Sequence, residues 1–341
     1  MKRISIVVPV YNDWDCFQEL CNRLDCVAQQ NDYEFQIVAV NDGSSERMPT
    51  DLCAVDSLPH LTSIDIIELQ CNLGHQRAIA IGLTEVARRD EVSKAIVMDA
   101  DGEDSPDDII GLIKLHERYP DAIVLAQRIK RSEGLLFVTF YWIYKQLFFV
   151  LTGRVISFGN FSLIPPRFIH TLIHTPSLWS SLSATILRSR VPLVLYPTKR
   201  ARRFFGESKM NFTSLVLHGL QAISVFGETV LIRLSIISVI GVLVALAALS
   251  IVIGLRVFTD LLVPGYTSNI IGIFCIVILQ LGTMVGGAGL LVLHSRSMMP
   301  IIPAIHTMSF IHQITRLRPI YGEKTMSSLV ADEADAMVVV P

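Results

Sequence analysis

Two long stretches in the second half of the chain contain no charged residue at all. Leu234–Leu255 and Ile270–Leu293 are both longer than the roughly 20 apolar residues that a helix needs to cross a bilayer. They explain why a chain of 341 residues is 51% hydrophobic with a mean hydropathy of +0.49, which is too apolar for an ordinary soluble protein. We therefore predict transmembrane helices at 231–256 and 269–294.

The charges that flank these stretches predict their orientation. Arg233 precedes the first stretch, and Arg296, Arg316 and Arg318 follow the second, whereas the intervening loop 256–269 has one Arg and one Asp. Because positive charge favours the cytosolic side, the loop is expected outside and both chain ends inside. The N-terminus lacks the apolar run of a signal peptide, so the N-terminal domain is also expected in the cytosol.

The first 200 residues alternate between apolar runs and segments with helical spacing. Predicted helices cover 15–29 and 77–88. The Val/Ile-rich runs are typical of buried parallel strands and cover 4–10, 35–40, 64–69, 94–98, 123–126 and 193–196. This order predicts an α/β fold with a mostly parallel, doubly wound sheet. In such sheets ligands bind beyond the carboxyl ends of the strands.

Polar residues follow these predicted strands: Tyr11, Asp13, Asp42, Asn72, Asp99 and Asp101. We expect them to line one crevice. Neither a Gly-x-Gly-x-x-Gly fingerprint nor a P-loop motif occurs, which argues against a dinucleotide enzyme and a P-loop NTPase. The net charge of −2 gives no indication of nucleic-acid binding.

An acidic segment follows the fourth predicted strand. If the chain stays extended, Asp99, Asp101 and Glu103 share one face and repel each other unless a cation lies among them. Oxygen ligands select a hard divalent ion such as Mg²⁺ or Mn²⁺, which takes further ligands from substrate phosphates. The segment thus predicts a metal site that binds a diphosphate. The alternative is an acidic loop that caps the next helix, which would start near residues 105–108.

A basic segment, Lys199–Lys209, contains five cations in eleven residues together with a Gly and a Ser. Guanidinium groups and a flexible backbone suit a phosphate-binding loop. The alternative is a patch that faces solvent or lipid headgroups. Both interpretations hold if the phosphate belongs to a lipid.

Two further segments combine apolar and aromatic residues. We predict that 135–151 is a helix on the membrane surface rather than a third span, because it is short, contains Lys145 and is rich in aromatic residues. A second surface helix is predicted at 211–230. Residues 295–341 are predicted to form a cytosolic tail that is partly disordered. His75, His218 and His294 lack metal-ligand spacing and are expected to be structural or surface residues.

Five motifs occur in the order that a known family has them. They are Val8-Pro9-Val10-Tyr11-Asn12-Asp13, Val40-Asn41-Asp42-Gly43-Ser44-Ser45, Asn72-Leu73-Gly74, Asp99-Ala100-Asp101 and Arg200-x-x-Arg203-x-x-Gly206-Glu207-Ser208-Lys209. Over residues 1 to about 230 the chain resembles the nucleotide-sugar glycosyltransferases of family 2, in particular the polyprenyl-phosphate branch.

The resemblance implies a Rossmann-like domain of the GT-A type over residues 1–210, and a role for each matched residue. Donor binding would fall to Pro9, Tyr11, Asp13, Val40, Asp42, Asp99, Ala100 and Asp101. Acceptor and phosphate binding would fall to Arg128, Arg131, Arg200, Arg203, Ser208 and Lys209. The catalytic residues would be Asp101, Asn160 and Arg128, and the ligands of Mg²⁺ or Mn²⁺ would be Asp99, Asp101 and Glu103.

The implied reaction is inverting, metal-dependent transfer of one sugar from a UDP- or GDP-sugar to a polyprenyl phosphate, expected to be undecaprenyl phosphate, at the cytosolic face of the inner membrane. Three positions depart from the family: Asn41 and Asn160 replace Asp, and Glu103 replaces Gln. Asn41 and Asn160 leave open a catalytically inactive membrane-anchored sugar-nucleotide-binding protein, and a processive polysaccharide synthase is a separate alternative. The synthase motif Gln-x-x-Arg-Trp is matched only in part, by residues 313–317. The aromatic helix predicted at 135–151 would also suit a contact between subunits of a homo-oligomer.

Overall fold

The computed structural model describes residues 2–31, 33–49, 52, 58–89, 94–128, 135–206, 212–258 and 265–318. Within these residues eight strands form one sheet in the order β7-β5-β6-β4-β1-β2-β3-β8. The strands are β1 Lys2–Val10, β2 Tyr33–Asn41, β3 Leu61–Leu69, β4 Lys94–Val97, β5 Ile123–Arg128, β6 Ser162–Ile164, β7 Leu193–Thr198 and β8 Ile311–Arg318. The pairs among β1 to β4 and the pair β5–β7 are parallel, whereas β6 and β8 run antiparallel to their neighbours. The predicted α/β fold with a mostly parallel sheet is confirmed.

Helices cover both faces of the sheet, because its strands are apolar on both sides. They are α1 Trp14–Asn31, α2 His75–Ala87, α3 Asp108–Arg118, α4 Leu135–Thr152, α5 Pro166–Ile173, α6 Leu182–Ser189, α7 Phe212–Ser224, α8 Gly227–Phe258, α9 Tyr266–Ser297 and α10 Pro303–His306. In β1, Ile6 and Val8 point into the core shared with α1 and α3, whereas Val7 points into the core shared with α2, α5 and α6. Burial on both faces is what a Val/Ile-rich parallel strand predicts.

The helices α8 and α9 have 32 residues each and are long and apolar enough to cross a membrane. They contain the predicted spans 231–256 and 269–294, and they pack against each other as an antiparallel hairpin. At the base of the hairpin Arg296 Nε lies 3.1 Å from Glu228 Oε1. Most of their apolar side chains are exposed in the isolated chain, as expected for helices that lipid would surround.

The helices α4 and α7 also expose apolar side chains, which include Trp142 and Phe149 on α4 and Leu217 on α7. Phe148 instead points inward and packs edge-on against Phe226, with ring centroids 5.8 Å apart. The predicted surface helix 211–230 is interrupted, because α7 ends at Ser224 and α8 begins at Gly227. Arg233 of α8 connects this helix to α4, because its side chain donates to the carbonyl oxygen of Val150 at 2.9 Å.

The C-terminal strand β8 is a correction to the predicted tail. Residues 311–318 follow the second span, yet they return to the sheet and pair antiparallel with β3. The reason is nonlocal: β3 would otherwise be an edge strand with unpaired backbone groups. It also carries Asp65, which is 1% exposed and accepts hydrogen bonds from Arg89 at 2.7 Å and from Arg316 of β8 at 2.7 Å. The globular domain therefore includes residues from beyond both spans.

Replacement of Asp65 should destabilise the domain. The Asp65→Asn variant keeps the shape of the side chain, but the guanidinium groups of Arg89 and Arg316 lose their buried carboxylate partner. This loss should lower the free energy of unfolding by about 3 kcal/mol. That corresponds to a fall in melting temperature of roughly 6–12 °C for a domain of this size. The melting temperature of the detergent-solubilised protein measures the effect.

The matched control is Glu19→Gln, which removes the carboxylate of a solvent-facing pair with Arg23 on α1. Its expected effect is below about 1 kcal/mol. Equal melting temperatures for the two variants would show that the Asp65 cluster does not hold β8 to the sheet.

Candidate active site

The carboxyl ends of β1, β2 and β4 are neighbours in the sheet, so the residues that follow them converge. Asp13 follows β1, Asp42 follows β2, and Asp99 and Asp101 follow β4. These residues therefore lie at the same edge of the sheet, where the sequence predicts that they line one crevice.

The residues 99–104, named here the acidic turn, do not continue the strand. β4 ends at Val97, and the chain then turns with Gly102 at φ +84°, a backbone conformation that favours glycine. The Glu103 N–H donates to Asp101 Oδ1 at 3.0 Å. The premise that Asp99, Asp101 and Glu103 share the face of an extended chain was therefore wrong.

The three predicted metal ligands accordingly do not form one ligand group. Within the described part of the chain no three His, Cys, Asp or Glu side chains lie where they could together hold a metal ion. Glu103 instead accepts two hydrogen bonds from Arg200, at 2.9 and 2.6 Å. Asp107 makes no side-chain hydrogen bond as the N-cap of α3, so side-chain capping does not explain the acidic residues either.

Burial and mutual repulsion nevertheless disfavour the charged form of the aspartate carboxyl groups in the acidic turn. Burial, with the nearby carboxylates of Asp104 and Asp101, raises the pKa of Asp99 to about 8. Burial also raises the pKa of Asp101 and of Asp104. Mg²⁺ and Mn²⁺ commonly use one or two carboxylates and take further ligands from water and phosphates. Asp99 and Asp101 supply two carboxylates of this kind at one end of the turn, although Asp101 is also bonded to Arg203.

The residues 199–206, named here the basic loop, dock directly onto the acidic turn. The N–H groups of Ala201 and Phe204 donate to the carbonyl oxygens of Glu103 and Asp101, both at 3.0 Å. The Phe204 ring covers Gly102 so closely that a Cβ there would lie 2.4 Å from it. Glycine at position 102 is thus required both by its φ and by this contact.

Three guanidinium groups reach three of the carboxylates of the turn, those of Asp101, Glu103 and Asp104. Arg203 donates to Asp101 at 3.1 Å and to both oxygens of Asp13, one of them at 2.6 Å. Arg128 donates to Asp104 at 3.1 Å and lies 3.7 Å from Glu103. Arg203 therefore joins the end of β1 to the end of β4. The predicted cations and acids belong to one site, while Arg131, Ser208 and Lys209 lie outside the described residues.

On the predicted donor side, Asp42 is 3% exposed and accepts hydrogen bonds from the N–H groups of Leu73 and Gly74, at 2.7 and 2.9 Å. Burial raises the pKa of Asp42, and these two N–H groups oppose that shift. The local turn is made by Asn41, whose Oδ1 accepts from the Ser44 N–H at 3.0 Å. Asp42 thereby anchors the start of α2 to the end of β2.

The other residues predicted to bind the sugar donor differ in the solvent exposure of their side chains. Tyr11 is 45% exposed beside the site, whereas the side chains of Val40 and Ala100 are buried in the core. Pro9 pairs with Val40 in the sheet. Contact of Val40 or Ala100 with a ligand would therefore have to use their main-chain atoms.

A polar cavity of about 270 Å³ lies between the segment after β1, the segment after β2 and the basic loop. Its lining includes Asn12, Asp13, Trp14, Glu46 and Arg203. It is slightly smaller than the roughly 300–1,000 Å³ typical of ligand pockets. Asn12, at φ +50°, links the two segments by donating to Ser45 and accepting from Glu46.

Asn160, at the position of a family Asp, follows a turn that leads into β6. Val97, the last residue of β4, pairs with Ser162 of β6, so Asn160, two residues before Ser162, lies near the carboxyl end of β4. Its Oδ1 accepts from Gln76 Nε2 at 3.1 Å, and the same Nε2 lies 2.9 Å from His75 Nε2. The His75 ring contacts that of His218 on α7, with centroids 5.1 Å apart. The sequence analysis did not identify Gln76; the one signal that could have found it is its position two residues after the Asn72-Leu73-Gly74 motif.

Residues 5–173 match the family model described as Glycosyl transferase family 2. The chain therefore has a family 2 glycosyltransferase domain, and the resemblance noted in the sequence is confirmed.

Relatives named for a polyprenyl-phosphate acceptor match most of the chain. The undecaprenyl-phosphate 4-deoxy-4-formamido-L-arabinose transferase of Serratia proteamaculans (strain 568) is 25% identical over 298 residues, 85% of this chain and 87% of that protein. The transferase of the same name from Erwinia tasmaniensis is 25% identical over 264 residues, 76% of this chain and 78% of that protein. A crystal structure of glucosyl-3-phosphoglycerate synthase from Mycobacterium tuberculosis with Mn²⁺ and uridine-diphosphate-glucose is similar at a TM-score of 0.42 and 14% identity, over 68% of this chain and 79% of that chain.

Removal of the Arg203 guanidinium should loosen the basic loop. Arg203→Ala deletes the bonds to Asp13 and Asp101, so we expect amide hydrogen exchange in residues 199–206 to become at least about tenfold faster, the equivalent of 1.4 kcal/mol. Hydrogen exchange followed by mass spectrometry measures this. Arg202→Ala is the matched control, because Arg202 belongs to the same loop and is exposed. Equal exchange in the two variants would contradict the bridging role of Arg203.

Proposed function

We propose that the protein transfers one sugar from a nucleoside-diphosphate sugar to a polyprenyl phosphate in the membrane, with inversion at the anomeric carbon. The observation that supports this best is the docking of the basic loop on the acidic turn. It provides carboxylates for a metal-bound diphosphate and guanidinium groups for phosphates within one site. The names of the relatives point to undecaprenyl phosphate as the acceptor.

The proposed step is a single displacement. A phosphate oxygen of the lipid forms a bond to the anomeric carbon, while the bond from that carbon to the diphosphate breaks and the nucleoside diphosphate leaves. Mg²⁺ or Mn²⁺ held by Asp99 and Asp101 would neutralise charge on the leaving diphosphate. Arg200 and Arg203 would reduce the repulsion between two anions, which amounts to several kcal/mol at short distance in a site of intermediate dielectric.

This chemistry explains why Asn160 is compatible with activity. A phosphate oxygen is already anionic at neutral pH, so the acceptor does not need a strong general base. Asp99, Asp101 and the cations of the basic loop are all retained. If the protein were a catalytically inactive sugar-nucleotide-binding protein, there would be no functional reason to retain all of these charged residues.

The membrane arrangement supports a lipid acceptor. The apolar side chains exposed on α4 and α7 would lie at the membrane surface, and α8 and α9 would cross it, with the catalytic domain on the cytosolic side. A polysaccharide synthase is disfavoured, because the residues of its partial motif have other partners. Gln313 donates to Glu68 at 2.8 Å, and Arg316 binds Asp65.

The test is release of nucleotide from a panel of UDP- and GDP-sugars by the protein in lipid nanodiscs, with and without undecaprenyl phosphate. We expect release from one donor class only when the lipid phosphate is present, and a glycosylated lipid in the extract. Asp101→Asn should lower the rate by about 100-fold, because it removes a carboxylate that would hold the metal ion, and with it the positive charge that would stabilise the leaving diphosphate.

Asp121→Asn is the matched control, since that carboxylate is 80% exposed beside Arg167. It should keep the parental rate. Release that does not depend on the lipid, or the absence of release with every donor, would overturn the proposed function.

A further inference from the structure

Gln76, the second residue of α2, is 4% exposed and makes three hydrogen bonds. Its Oε1 accepts from the Leu182 N–H at the start of α6, at 2.8 Å. Its Nε2 contacts Asn160 Oδ1 at 3.1 Å and His75 Nε2 at 2.9 Å. Gln76 thus connects the turn before β6 with two helix N-termini.

These contacts determine the orientation of every amide in the network. The Leu182 N–H can only donate, so the atom of Gln76 that faces it must be the carbonyl oxygen. Gln76 therefore turns its NH₂ group toward Asn160 and His75, and both must accept. Asn160 uses its oxygen in this way, which leaves its own NH₂ group for contacts outside the network.

We propose that Gln76 is a positioning residue that holds Asn160 with its NH₂ group as a hydrogen-bond donor for the acceptor phosphate. The proposal rests on the proposed function for the identity of the acceptor. A phosphate oxygen is an acceptor only, so a side chain that donates is complementary to it and a carboxylate in its place is repelled. The sheet register supports the location, because Asn160 precedes Ser162, which pairs with Val97, and so lies near the carboxyl end of β4, where the chain leads into the acidic turn.

The contact with the Gln76 NH₂ group also determines which ring nitrogen of His75 carries the proton. Its Nε2 must accept from Gln76, so the imidazole is neutral and its proton is on Nδ1. Desolvation and the neighbouring His218 lower the pKa of His75 to about 4, in agreement with a neutral ring. Since His218 belongs to α7, the network extends from the turn before β6 to the helix that precedes the first span.

The test is Gln76→Glu. The new carboxylate can still accept from Leu182 but cannot donate, so Asn160 should rotate, donate to it and present its oxygen to the acceptor. We expect the KM for undecaprenyl phosphate to rise roughly 10- to 100-fold, the range for a lost hydrogen bond to a charged group. The KM for the sugar nucleotide should change less than about twofold, because the donor contacts are untouched. Gln30→Glu, the same change at an exposed position of α1, should leave both constants unchanged.

A spectroscopic readout tests the orientation without any activity. Nitrogen-15 NMR of labelled histidine should show His75 protonated at Nδ1 in the parent and at Nε2 in Gln76→Glu, where the carboxylate accepts from it. A second variant, Asn160→Asp, keeps the bond from Gln76 but turns a charged oxygen toward the acceptor, so it too should raise the KM for the lipid.

The two proposals fail in different ways. Absence of lipid glycosylation by the parent would overturn the proposed function, and with it the phosphate as the partner of Asn160. An Nε2–H tautomer of His75 in the parent would overturn the orientation set by Gln76. A parental KM for the lipid in folded Gln76→Glu, or in Asn160→Asp, would overturn the positioning role. A loss confined to kcat and melting temperature would show that Gln76 contributes only to packing.

Discussion

The structure of the site depends on the attraction between the acidic turn and the basic loop. Four carboxylates that follow β4 would repel each other, and the guanidinium groups of Arg128, Arg200 and Arg203 lie among them. Two main-chain hydrogen bonds and the contact of Phe204 with Gly102 fix the distance between the two segments. Segments about 100 residues apart in the chain thus form one charged surface at the edge of the sheet.

The attraction between the acidic turn and the basic loop also limits which carboxylates can serve as ligands for a metal ion. Glu103 and Asp104 are engaged by Arg200 and Arg128, and Asp101 is bonded to Arg203, so a divalent cation held by Asp99 and Asp101 would compete with Arg203 for the Asp101 carboxylate. Two carboxylates bind Mg²⁺ or Mn²⁺ poorly unless phosphate oxygens complete the coordination. Under the proposed function the metal and the diphosphate are therefore expected to bind together.

Much of the fold was predictable because its signals are local. Val/Ile-rich runs predicted most of the strands, and the charge-free stretches predicted α8 and α9. β8 was not predictable, because its partner β3 and the buried Asp65 lie about 250 residues earlier in the chain. The return of the chain to the sheet after α9 ties the membrane hairpin to the domain at both ends.

For the site, sequence reasoning brought the right residue types together but not their partners. The extended-chain argument failed for Glu103, because a glycine turn follows β4 and redirects the side chains. Asp42 was predicted to bind the donor, and the sequence did not indicate that it also accepts hydrogen bonds from the Leu73 and Gly74 N–H groups. Gln76 has no motif of its own, so its role appears only when Asn160, His75 and Leu182 are seen around it.

The claim that Asp99 and Asp101 bind a divalent ion together with a diphosphate is tested most directly by the linkage between Mn²⁺ binding and nucleoside diphosphate binding. Mn²⁺ affinity is measured by electron paramagnetic resonance on the protein in nanodiscs, with and without the UDP or GDP that the transfer assay selects. If Asp99 and Asp101 share the ion with a diphosphate, nucleotide should tighten Mn²⁺ binding at least about tenfold, Mn²⁺ should tighten nucleotide binding by the same factor, and Asp101→Asn should abolish both effects. Mn²⁺ binding of equal strength with and without the nucleotide would contradict the account.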